Sequence, residues 1–106
     1  MNNPLPAKEQ LIDLIVRIAE DENRTLPRPI DIQKRAEAEL YGRGSPLDSI
    51  GLVRLVLEIE TAMEDQYGVS VSLADDRAMS QERSPFRTIG SLATYIQTTL
   101  ERPAAN

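Results

Sequence analysis

Aliphatic residues recur at helical spacing in three stretches of the chain, and polar or proline-rich segments separate them. From Ala7 onward Leu11, Leu14, Ile15 and Ile18 fall on one side, widened by Ile12, Val16 and Ala19, which predicts a helix over about Pro6 to Asp21. The longest run, Ser49 to Tyr67, contains no proline and only Gly51 as a weak helix former. At about 100° per residue, Leu52, Leu55, Val56, Ile59 and Met63 share one arc, the expected core face. A third run begins at Thr88, a good N-cap, and places Ile89, Leu92, Ala93, Ile96 and Leu100 on one face with Tyr95 at its edge.

The middle run carries a second arc. Ile50, Val53 and Leu57 lie beside Ser49 and are interleaved with Glu60 and Glu64. Burying this arc would bury two carboxylates, which is costly unless both find partners. The arc is therefore expected to face solvent, as an apolar stripe rimmed with acid and shaped for docking on another protein. At its head, Asp48 is placed to cap the first turn, which leaves Ser49 at the first helical position. A phosphate esterified to that hydroxyl would be favoured by the free N–H groups and the helix dipole. Tyr67-Gly68 closes the run, with glycine at the left-handed position that ends helices.

The connections are less regular. Pro27 and Pro29 stop the first helix from continuing. Residues 30–44 have helix formers but a poor apolar stripe, so a short helical turn inside a long ordered loop is expected, anchored by Leu40 and Tyr41 and turned by Gly42 and Gly44. Val69, Val71 and Leu73 alternate with Ser70 and Ser72, the pattern of a short extended segment. Ser72 is also placed to cap a short helix through Leu73 to Met79, and Phe86 is expected to turn inward from the loop that follows. Residues 1–6 and 101–106 are expected to be loose tails.

Composition narrows the chemistry. The 106 residues give room for one domain. With one Phe, three Tyr and no Trp, the core must be aliphatic. The absence of His and Cys removes Ser-His and Cys-His nucleophilic systems, disulfides and nearly all structural zinc sites; carboxylate chemistry and an oxygen-ligated metal stay possible in principle, but no metal is expected. No stretch suggests membrane insertion or a signal peptide, so the reading is cytoplasmic. A net charge of −5 argues against nucleic acid. The charge is uneven: between Asp48 and Glu82 eight acids face only Arg54 and Arg77, a net of −6, while the remainder is close to balanced. Asp75 and Asp76 are adjacent and would point apart on a helix, so they are read as compensating a helix dipole, not as an acid-base pair.

Leu47-Asp48-Ser49-Ile50, followed by Leu52-Val53-Arg54-Leu55-Val56-Leu57-Glu58-Ile59-Glu60, resembles the Asp-Ser-Leu motif and second helix of acyl carrier proteins. Phe86-Arg87-Thr88-Ile89-Gly90-Ser91-Leu92-Ala93-Thr94-Tyr95-Ile96 resembles that family's last helix. The likeness spans roughly Ala7 to Leu100. It implies an all-α fold, a small four-helix bundle of three long helices and one short one, with a long loop between helices 1 and 2. It also implies that Ser49 is esterified with 4′-phosphopantetheine, taken from coenzyme A by a phosphopantetheinyl transferase. The arm's thiol would carry acyl groups as thioesters, and the carrier itself would catalyse nothing. Partners implied are ketosynthases, acyltransferases or ligases of lipid or polyketide-like biosynthesis, docking on Ile50, Val53, Arg54, Leu57, Glu60 and Glu64 of what is expected to be a monomer.

Two departures bear on the choice of partner. Where housekeeping carriers of fatty acid synthesis usually have acids, this chain has Gly51 and Arg54, which suggests a specialised, stand-alone carrier. The rival readings are an aminoacyl or peptidyl carrier using the same serine, and an unmodified helical interaction module.

Overall fold

A computed structural model describes residues 6–73 and 85–101. These form three α-helices and one 3-10 helix: α1 over Lys8–Glu22, the 3-10 helix over Ile32–Glu37, α2 over Ser49–Tyr67 and α3 over Ile89–Glu101. Among the described residues there is no strand, only two isolated bridges, Glu39 with Thr88 and Tyr41 with Leu47. The expected all-α bundle is therefore present as three long helices and a 3-10 turn. The short helix predicted through Met79, with Asp75 and Asp76, lies outside the described residues beyond Leu73, and so do the outer parts of both tails.

The central element is α1, which packs against α2, α3 and the 3-10 helix. Its Leu11, Ile12, Leu14, Ile15 and Ala19 are buried. They meet Leu52, Leu55, Val56, Ile59 and Met63 of α2 and Ile89, Leu92, Ala93 and Ile96 of α3 in one aliphatic core, with Phe86 as its buried aromatic ring. Tyr95 sits edge-on to Phe86, with ring centroids 5.9 Å apart. Pro6 is buried and belongs to the packed body, not to a loose tail as its sequence neighbours suggest.

Side chains organise the loops where no regular ladder is available. After α1, the Asn23 amide donates to the Ile30 carbonyl at 2.9 Å and accepts from the Ile30 N–H at 2.7 Å, which closes the proline-bearing loop across its base. The 3-10 helix contains Arg35 at φ 51°, ψ −115°, a region that favours glycine. The Arg35 guanidinium bonds to Asp13 of α1 and lies 3.7 Å from Glu9. Its hydrogen bond to Asp13 raises its pKa, against the opposing effect of desolvation. The next residue, Ala36, presses on α3 so closely that a Cβ on Gly90 would lie 2.8 Å from the Ala36 carbonyl oxygen.

The chain after the 3-10 helix is tied to the start of α3. Leu40 N–H donates to Arg87 O at 2.7 Å and Ile89 N–H to Ala38 O at 3.0 Å. Thr88 caps α3 as predicted: its hydroxyl accepts from the Ser91 N–H at 3.0 Å, while the Ser91 hydroxyl accepts from the Thr88 N–H at 3.0 Å. The alternation at Val69, Val71 and Leu73 survives as alternating burial without a strand. Period 2 sorts side chains inward and outward, but a strand also needs a neighbour to pair with, and none lies beside this segment among the described residues.

Candidate functional site

The start of α2 is fixed at both its flanks. Asp48 has extended backbone geometry (φ −90°, ψ −175°), and its carboxylate accepts from the Gly51 N–H at 2.8 Å, the predicted cap. Gly51 has a second role that its place in the sequence does not announce. A Cβ there would lie 3.2 Å from Leu47 Cδ2 and 3.3 Å from Asp48 Oδ1, so glycine lets the incoming loop lie close on the first turn. Leu47 is buried, and its N–H donates to Leu40 O at 2.9 Å. Before it, the exposed Arg28 donates to the carbonyls of Gly44 at 2.9 Å and Ser45 at 3.4 Å.

These contacts converge on Ser49, which is exposed at the first position of α2. Asp48 uses the N–H of Gly51, while the N–H groups of Ser49 and Ile50 have no acceptor among the described residues. An oxyanion attached to the serine would meet unsatisfied donors and the positive end of a 19-residue helix. Arg28 and Gly51 were not legible as site residues. The only local hint for Arg28 is that Pro27 and Pro29 flank it and fix the backbone on either side.

The stripe predicted beside the serine is exposed in the order its helical angle implies. Ile50 is 72% exposed and Leu57 53%, while Val53, nearer the edge of the core arc, is 38% exposed. Arg54, Glu58 and Glu64 are also exposed, and none has an ion-pair partner among the described residues. Arg54 is the one cation of α2, beside an otherwise acidic polar face.

Glu60 differs from the expected rim acid. It is half-buried, and its carboxylate accepts from the N–H of Leu73 at 2.8 Å. On the helical wheel it is the stripe member closest to Val56, so its side chain lies at the edge of the core face, within reach of the Leu73 backbone. Angle alone groups it with Glu64. The contact joins residues 13 apart and has no local signature.

Among the described residues no set of three carboxylates is placed to hold a metal ion, and no helix is long and apolar enough to cross a membrane. Compared with protein-family models, curated proteins and solved structures, the chain finds no match.

Proposed function

We propose that this chain is a carrier of the acyl-carrier type, modified on Ser49 with 4′-phosphopantetheine from coenzyme A. The observation that carries this reading is the exposed serine at the first position of a capped helix, directly beside an exposed aliphatic stripe. The residues fit the group: the phosphodiester would sit at the N–H groups of Ser49 and Ile50, while Asp48 keeps the turn closed. When bound, the arm supplies the thiol that this cysteine-free chain lacks, and the thiol holds acyl groups as thioesters.

The chain's own contribution is position and recognition, not catalysis. Asp48, Gly51 and Leu47 hold the attachment point at the mouth of α2. Ile50, Val53 and Leu57 give a small apolar contact, and Arg54 and Glu64 set its charge pattern. A patch of this size suits a transient partner such as a phosphopantetheinyl transferase, ketosynthase, acyltransferase or ligase, because a carrier must leave each enzyme after serving it. The mixed charge around the stripe favours a dedicated partner set over the housekeeping one. A cytoplasmic monomer handling lipid or polyketide-like intermediates is the setting we infer.

Intact-mass measurement after incubation with coenzyme A and a broad-specificity phosphopantetheinyl transferase tests this. One phosphopantetheine increment is expected for the wild type and none for Ser49→Ala. An unmodified wild type with Ser49 intact overturns the carrier reading and leaves the exposed stripe as the surface of an interaction module. An aminoacyl or peptidyl cargo would use the same serine, and the enzyme that loads the arm decides between them.

A further inference from the structure

We propose that Arg28 is a positioning residue for the modification of Ser49: its guanidinium sets the shape of the loop over residues 41–46, which an enzyme working on Ser49 must contact. This rests on the carrier reading and adds to it a residue from a different loop. Arg28 donates to the Gly44 carbonyl at 2.9 Å and to the Ser45 carbonyl at 3.4 Å. Its own backbone is held between Pro27 and Pro29, in a loop whose base is clasped by Asn23 and anchored by the buried Ile30. The fork of donors therefore starts from a fixed place.

The loop it reaches is closed at its neck, where the Leu47 N–H donates to Leu40 O at 2.9 Å. At the tip, Gly42, Arg43 and Gly44 are exposed. Gly42 and Gly44 have φ 132° and 78°, and the Ser45 N–H donates back to Gly42 O at 3.0 Å. Clefts of about 190 and 200 Å³ border the loop, one lined by Arg43, Ser45 and Arg87, the other by Arg28, Gly44 and Pro46, with Glu39 in both. Packing thus leaves the shape of the tip open, and side-chain ties select it. These are the charge-assisted pair from Arg28 and a longer bond from the Ser45 hydroxyl to Glu39 at 3.3 Å. Ser45 stands four residues before Ser49, so the two lie within about 14 Å even along an extended chain. A transient interface of about 600 Å² per partner covers a disc of about 14 Å radius, and a partner centred on Ser49 lands on the loop. Asp48 and Leu47 fix the serine itself, whereas Arg28 fixes the surface beside it. An enzyme that meets a loosened loop must order it on binding, so its apparent affinity falls while the chemical step is untouched.

Steady-state modification of the full chain by a broad-specificity phosphopantetheinyl transferase with coenzyme A, read by intact mass, tests this role. Arg28→Ala is expected to raise KM for the carrier about 3- to 10-fold, with kcat within about twofold of the wild type. Arg28→Lys keeps the charge but loses the planar fork that spans two carbonyls, and is expected to keep most of the defect. In the unmodified Arg28→Ala chain, amide-nitrogen order parameters of Gly44 and Ser45 are expected to fall from the rigid range of about 0.85 toward about 0.6, while those of Leu52 and Leu55 in α2 hold. A wild type that takes up no phosphopantetheine overturns the carrier reading and this role with it. A modified wild type whose Arg28→Ala variant keeps its KM overturns the role alone, as does a loss confined to kcat. Recovery of KM by Arg28→Lys would make Arg28 a steering charge and overturns the role too, as do loop order parameters that stay unchanged or that fall only in step with those of α2.

Discussion

The two faces of α2 are built from the same kind of residue and meet opposite environments. Leu52, Leu55, Val56, Ile59 and Met63 are fully buried against α1 and the rest of the core, whereas Ile50, Val53 and Leu57 stand in solvent on the same helix. Aliphatic content therefore does not separate structure from function here; angular position does. A helix packed on one side has no energetic reason to place three aliphatic residues on its free side, since each exposed chain forgoes about 1.5–3 kcal/mol of burial. Their grouping beside Ser49, in place of the lysines and glutamates usual on such a face, is what supports the proposed reading of the free face as a contact surface.

The sharpest way to break this comparison is to cut the same kind of group from both faces. Ile59→Ala removes a buried side chain from the centre of the core arc and should destabilise the protein by about 2–5 kcal/mol. Chemical denaturation monitored by circular dichroism measures it. A cost below about 1 kcal/mol would mean that the core face of α2 is loosely filled, and the contrast between the two faces would lose its basis.

Asp48→Ala acts at the border of the two faces. It leaves the Gly51 N–H without its acceptor and should cost about 1 kcal/mol, which for a domain of this size is a fall of roughly 4–8 °C in Tm. Asp48→Asn keeps a side-chain oxygen in the same place and should recover most of that loss. If Asn and Ala prove equally destabilising, the cap geometry is not the reason for Asp48, and its charge beside Ser49 becomes the better explanation.

Features that depend on neighbours along the helix were legible in the sequence. The Asp48 cap, the Gly68 terminus at φ 66°, the core arc and the exposed arc of α2 all follow from spacing and local backbone chemistry. The Thr88 cap and the inward Phe86 follow in the same way. What was not legible depends on contacts between distant segments. Nothing in the text of the chain says that Arg28 meets the Gly44 and Ser45 carbonyls, that Asn23 clasps Ile30, or that Gly90 must be bare because Ala36 lies on it. Glu60 shows the limit most clearly. Helical angle alone assigns it to the stripe, and only the approach of the Leu73 N–H, 13 residues on, shows why a carboxylate belongs at the border of the core.

Leu57→Ser is the counterpart to Ile59→Ala and should have the smallest effect on stability. The side chain is 53% exposed, so its loss should move the unfolding free energy by no more than about 0.5 kcal/mol. The neighbouring hydroxyl of Thr61 already bonds to the Leu57 carbonyl at 3.0 Å, a backbone contact the substitution leaves intact. The effect should appear instead in recognition. With a transferase that modifies the wild type, kcat/KM for modification of Ser49 should fall about 5- to 10-fold, as expected for losing one apolar anchor of a small interface. The loss should fall mainly on KM, since Leu57 lies two turns from the reacting hydroxyl and would contribute to binding rather than to the chemical step. A variant that unfolds as readily as Ile59→Ala would show that the stripe is packed. A stable variant modified at the wild-type rate would instead place the transferase's contact elsewhere on α2, with Ile50 and Arg54, nearer the serine, as the next positions to change.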